Sequence, residues 1–187
     1  MRVLVAAAGR HGSTAEIAET IGGELTKAGM DVDVVDVDDV HGLGDYDAVV
    51  LGSAVYLAHW VKSATAFAAS RGAELRASPT WLFSSGPVGD PLRPGESDAV
   101  DVKAIVAATG AREHRLFAGK LDKRELNFRE RAVMRVVGGH DGDYRDWDEI
   151  RAWAEAIAAS LNAADDPGRE PTLSTGAQPI ARPGAPS

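Results

Sequence analysis

The sequence predicts an α/β protein on a doubly wound, five-stranded parallel sheet of order 2-1-3-4-5, with helices on both faces. Short apolar runs alternate with segments of helical period, which a parallel sheet with crossover helices satisfies. The runs number five, and the connections between them are short, as in doubly wound sheets.

The first run, "MRVLVAAA", reads as a buried strand ended by Gly9. A helix follows from about Ser13 to Ala28, with Ile17, Ile21 and Leu25 four apart on one face. Ser13 or Thr14 supplies its N-cap, Glu16 sits in the first turn and Gly29 follows the last. "MDVDVVDVDDV" alternates apolar and acidic residues, as a half-exposed strand does, whereas "YDAVVLGSAV" is continuous enough to be buried on both faces. Next comes a helix from Trp60 to Arg71 ended by Gly72, then the strand "PTWLFSS" and a Pro/Gly-rich loop, "GPVGDPLRPGE". A helix around Asp98 to Ala108 leads to a fifth strand in "REHRLFAGKL", and "LNFRERAVMRVV" reads as a short helix ending at Gly138 and Gly139. The last helix starts near Asp146, its apolar face marked by Ile150, Trp153, Ile157 and Leu161. Residues 1–162 are thus expected to form one domain. Residues 163–187 hold five of the nine prolines and few large apolar groups, so a disordered Pro/Gly/Ala-rich tail is expected.

With 187 residues, 44% hydrophobic and 26% charged, the chain can bury one substantial core. No apolar run approaches the roughly 20 residues of a membrane span, and the start of the chain does not read as a signal peptide. Zero cysteines exclude disulfides, thiolate metal sites and cysteine nucleophiles, and the expected location is cytoplasmic. A net charge of −8 argues against general nucleic-acid binding. The charge is uneven: Asp31 to Asp47 holds seven aspartates, and Arg112 to Arg135 holds eight basic residues against four acidic ones. Such asymmetry steers charged partners or simply marks solvated faces. The five histidines show no metal-ligand spacing, no metal site is expected, and Asp36, Asp38 and Asp39 read as a solvated acidic turn.

In a sheet of this order, ligands bind beyond the strand carboxyl ends, where three loops meet. The first, Gly9 to Thr14, combines Arg10, His11, Gly12, Ser13 and Thr14 ahead of a helix. Unpaired amides and the helix dipole there suit an anion, which the hydroxyls and basic side chains would help to hold. It is neither a Walker A loop nor a dinucleotide fingerprint, and a tight strand-to-helix turn with an ordinary cap is the alternative. The second, "GSAVYLAHW", places Tyr56 just past a buried strand, where its ring either covers a flat ligand or packs on its own loop. The third, "SSGPVGDP", offers amides and two hydroxyls to the rim of a ring system, or is a plain surface connection.

Taken in order, "GRHGSTAEIAETIG", "VVLGSAVYLAHW", "FSSGP" and "GGHDGDYRDWDEIRAWAEAIA" resemble the flavodoxin-like superfamily. The group most similar is the flavodoxin-domain proteins related to menaquinone-dependent protoporphyrinogen IX dehydrogenase, over residues 1 to 162. The resemblance implies FMN as cofactor, with its phosphate on Arg10, His11, Gly12, Ser13 and Thr14. The isoalloxazine would then lie between Ser53, Ala54, Val55 and Tyr56 on one side and Ser84, Ser85 and Gly86 on the other. Flavodoxins usually begin the phosphate loop with hydroxyl residues, where this chain has Ala8 and Gly9. The implied activity is electron transfer or oxidoreduction with the flavin carrying the chemistry, so no catalytic side chain is assigned. A redox partner or quinone, a porphyrinogen substrate, at most peripheral membrane contact and a homodimer are the associations it admits. The other reading is a non-catalytic binding protein that has lost FMN, or one that takes another flat, phosphate-bearing ligand such as a deazaflavin.

Overall fold

The computed structural model describes residues 1–10, 12–86, 100–121 and 142–165. His11, the third loop beyond Gly86, the helix expected in "LNFRERAVMRVV" and residues 166–187 lie outside them. The central sheet joins β1 (Arg2–Ala8), β2 (Asp31–Asp36), β3 (Ala48–Tyr56), β5 (Thr80–Ser85) and β6 (Glu113–Phe117). Their order is β2-β1-β3-β5-β6 and every neighbour is parallel, the topology expected from the sequence. β4 (His59–Trp60) doubles back antiparallel on β3, and β7 (Lys120–Leu121) pairs with β8 (Gly142–Asp143) in a separate ribbon.

Because side chains alternate across a strand, an all-apolar strand feeds both faces. Val3, Val5, Val50 and Phe83 enter one layer with α1 (Ser13–Lys27) and α5 (Trp147–Asp165). Leu4, Ala6, Leu51 and Leu82 enter the other, with α2 (Lys62–Ser70), α3 (Gly72–Ala77) and α4 (Lys103–Thr109). In the first layer Trp153 of α5 meets Phe117 edge-on with centroids 5.5 Å apart, and Phe83 completes the trio. Gly52 is required there, since a Cβ on it would overlap the Phe83 ring.

Helix α1 ends as its sequence predicts. Gly29 takes φ 91°, its N–H reaches the Thr26 carbonyl, and the Met30 N–H reaches that of Leu25. This is a Schellman closure. Its start differs from expectation: Gly12, at φ 72°, is the N-cap, and among the described residues no side chain caps the helix. Trp60 belongs to β4 rather than to a helix, and α2 begins two residues later. Nor does Gly72 end a helix; it opens α3, buried where a Cβ would stand 2.9 Å from the Ala108 carbonyl oxygen. "REHRLFAGKL" divides into β6 and β7, which pair with different strands.

The acidic run is largely structural. The Arg2 guanidinium donates to Asp33 at 2.7 Å and lies 3.8 Å from Asp31, and its backbone N–H donates to Asp47 Oδ2 at 2.7 Å. The Tyr46 hydroxyl, followed by Arg2, holds the Asp33 carboxyl below the usual carboxylate range. Asp36 accepts from the Asp38 amide in the turn after β2. Among the described residues no helix is long and apolar enough to cross a membrane, and no cluster of His, Asp or Glu could hold a metal.

Candidate functional site

Parallel register sets the ends of three strands side by side. Ala8 lies opposite Ser53, Ser53 opposite Ser84, and Ala54 opposite Ser85. The loops leaving these strands therefore begin at one edge, and the topology reverses between β1 and β3 there, where open α/β sheets bind ligands.

At the first loop, the earliest intrahelical bond of α1 runs from the Glu16 N–H to the Gly12 carbonyl. The amides ahead of Glu16 precede that ladder and, among the described residues, receive no side-chain cap, at the positive end of a 15-residue helix. A Cβ on Gly12 would meet nothing closer than Glu16 Oε1 at 4.0 Å, so its conformation, not crowding, calls for glycine. Thr14 is 3% exposed and turns inward against Gly9, whose absent side chain makes room for it: a Cβ there would stand 2.8 Å from Thr14 Oγ1. Thr14 therefore leaves only its backbone at the loop surface, and a side chain at position 9 would collide with it. Ser13 Oγ accepts from the Lys120 N–H at 3.2 Å. Arg10 is exposed, with its guanidinium 5.6 Å from the centre of the Tyr56 ring.

Behind α1's first turn stands Arg145, a residue the sequence reading did not single out. Its side chain is 2% exposed. It bonds Asp143 in bidentate fashion at 2.8 and 2.6 Å, Glu16 Oε2 at 2.8 Å and the Ser13 carbonyl at 3.3 Å. One face of its guanidinium lies 4.3 Å from the Trp147 ring centre. Burial works against this charge, but the bonds to Asp143 and Glu16 outweigh it and its pKa rises. In turn the Arg145 bond holds the Asp143 carboxyl low. Around it, Tyr144, Asp146, Trp147 and Arg151 line a polar depression of about 490 Å³, in which Arg145 pairs with Asp143 and Arg151 with Asp148. Asp146 there caps α5, accepting from the Asp148 and Glu149 amides.

The second loop is the hairpin β3–β4, turned through Leu57 and Ala58 at φ 49° and 65°. Ser53 is fully buried, and its hydroxyl accepts from the Val61 N–H at 3.1 Å while donating to the Ala54 carbonyl. It braces the hairpin. Val55 and Tyr56 are half-buried on that hairpin, and Ala54 is buried beside it. In the third loop, buried Ser84 accepts from Trp60 Nε1 at 2.7 Å and meets His114 Nε2 at 2.8 Å. Burial lowers the His114 pKa against the opposing pull of Glu113. With its oxygen accepting from Trp60, the Ser84 hydroxyl has its proton to give to His114 Nε2 in the neutral imidazole tautomer protonated on Nδ1. Ser85 ends its strand buried, and Gly86, at φ 105°, gives its N–H to the Phe117 carbonyl. Three of the candidate hydroxyls, Ser13, Ser53 and Ser84, thus have protein partners, and the latter two are buried. Arg10, Gly12, Ser13 and Tyr56 border the open edge.

A family model described as flavodoxin domain matches residues 4–148. Protoporphyrinogen IX dehydrogenase [quinone] of Escherichia coli K12 is 23% identical over 172 residues, covering 84% of this chain and 95% of that protein. Among solved structures, an archaeal flavodoxin shares the fold at TM-score 0.52 and 16% identity, over 87% of this chain and 99% of its own. Flavodoxin 1 of Bacillus cereus does so at 0.56 and 16%, over 86% and 98%. Rubredoxin oxygen:oxidoreductase of Desulfovibrio gigas reaches 0.58 at 13%, over 87% of this chain and 36% of that one. A flavodoxin-domain match over most of the described core, on a sheet of flavodoxin topology, is decisive: the chain belongs to the flavodoxin-domain family of electron-transfer and oxidoreductase proteins.

Proposed function

We propose that this chain binds FMN at the edge formed by β1, β3 and β5 and works as a flavin-dependent oxidoreductase. The observation that supports the reading is the α1 N-terminus: a left-handed Gly12 followed by amides that no side chain caps among the described residues. That cradle fits a phosphate monoester, with the Ser13 hydroxyl and Arg10 beside it. Tyr56 is the ring that would cover one face of the isoalloxazine, and Ser85 and Gly86 border the other side. When bound, the flavin supplies the redox chemistry; the protein orients it and controls access. A porphyrinogen as reductant and a quinone as acceptor are the reading that the Escherichia coli relative supports.

Titrating ligand-stripped protein with FMN, read by flavin fluorescence and melting temperature, tests this. Saturable binding at micromolar or tighter affinity is expected, with stabilisation of about 2.7 kcal/mol when free FMN is a hundred times its Kd. Absence of both signals overturns it. Two observations favour a second reading, a binding protein without flavin: Ala8 and Gly9 supply no hydroxyl, and the Arg10 guanidinium lies over the Tyr56 ring. On that reading the protein is colourless and FMN leaves its melting temperature unchanged.

A further inference from the structure

We propose that Arg145 is a positioning residue for the phosphate cradle, fixing the first turn of α1 from behind. The inference rests on the FMN reading above. Four observations converge on it. Arg145 is nearly inaccessible, yet it reaches Glu16 and the Ser13 carbonyl on α1 from a position 132 residues away from Ser13. Asp143 grips it through two parallel bonds, the planar fork geometry that lysine cannot reproduce. Trp147 lies against its face and fixes the plane of the group. Lys120, on the strand paired with β8, completes the clasp: its N–H bonds Ser13 Oγ, and its ammonium lies 4.0 Å from Glu16.

The geometry has two consequences for an anion at the cradle. With its oxygen accepting from Lys120, the Ser13 hydroxyl keeps its proton to donate outward. Glu16, a carboxylate in the first turn of the helix meant to receive a phosphate, is ion-paired with Arg145 at 2.8 Å and lies 4.0 Å from the Lys120 ammonium, which balance its charge. Releasing Arg145 would loosen the Ser13 carbonyl and restore an unbalanced negative charge near Gly12. Affinity would then fall for the phosphate-bearing ligand and hold for one without phosphate.

The test measures FMN and riboflavin dissociation constants by fluorescence quenching for wild type, Arg145→Lys and Arg145→Met, with melting temperatures alongside. Arg145→Lys keeps the charge and loses the fork; Arg145→Met loses both. The expected result is FMN affinity reduced about tenfold or more in Arg145→Met and less in Arg145→Lys, the scale of a charged hydrogen bond. Riboflavin affinity should change less than about twofold on the same scale. If Arg145→Met does not fold, the ratio of FMN to riboflavin affinity in Arg145→Lys decides alone. An equal loss for both ligands, or an unchanged ratio in the folded variants, overturns the role of Arg145 while leaving flavin binding intact. A wild-type chain that takes up neither flavin overturns the FMN reading and this inference with it.

Discussion

Leu57 and Ala58 turn the β3–β4 hairpin with both residues at positive φ, a conformation that suits Asn-Gly and costs L-residues with a Cβ roughly 1–2 kcal/mol each. The side chain of Leu57 is moreover 79% exposed, so burial does not repay the strain. What keeps the turn in place is its surroundings: the Ala58 carbonyl accepts from the Asp101 N–H at 2.9 Å, and Val61 is bonded to Ser53. Strain held by tertiary contacts is common where a loop presents a binding residue, and Tyr56 immediately precedes this turn. Replacing the pair by Leu57→Asn with Ala58→Gly should therefore raise the melting temperature by about 2–4 °C for each kcal/mol released. Thermal melts of the double variant check it; a lower melting temperature would show that the turn is not strained.

The hairpin is held at element scale by a chain of hydrogen bonds from Trp60 through Ser84 to His114, which ties β4 to β5 and β6. His114 accepts in that chain only while neutral. Burial places its folded pKa below the ordinary value of about 6.5. Between the two values the native chain therefore binds fewer protons than the unfolded one. This stability is fully present above about pH 6.5 and is lost as pH falls through the folded pKa. Melting curves from pH 7.5 to 5 should show wild type losing stability relative to His114→Gln, which keeps an acceptor for Ser84 but cannot titrate. Parallel curves would assign the acid sensitivity to other groups. The same hairpin marks where the sequence stops being readable. The five strands and α1 follow from local periodicity, because Ile17, Ile21 and Leu25 report their own burial. Trp60 reads as helical because Leu57-Ala58 carries none of the usual turn chemistry. Gly72 reads as a stop because its reason, the Ala108 carbonyl, belongs to another helix. At the candidate site, the placement of Gly12 and Tyr56 at the strand ends is legible from the apolar runs before them, whereas that of Arg145 is not, since its partner Glu16 is close only in space.

Across the whole molecule, the sheet separates two apolar layers, and α5 closes the one that also contains α1. Helix α5 therefore has two tasks that lie at opposite ends. Near its start, Trp147 stacks on Arg145 behind the first turn of α1; further along, Ile157 and Leu161 are buried in the layer shared with Leu25 and Met30. Global stability and cradle geometry should then be separable along one helix. Leu161→Ala removes a fully buried side chain, and such truncations cost about 2–5 kcal/mol. Its melting temperature should fall by about 2–4 °C for each kcal/mol lost. FMN affinity, measured well below the transition, should stay within about twofold of wild type, the additivity expected of distant sites. Arg145→Lys should give the reverse pattern, a small thermal effect and a selective loss of FMN. If Leu161→Ala instead lowers FMN affinity as much as Arg145→Met, the cradle is set by how α5 packs as a whole rather than by the clasp at its start.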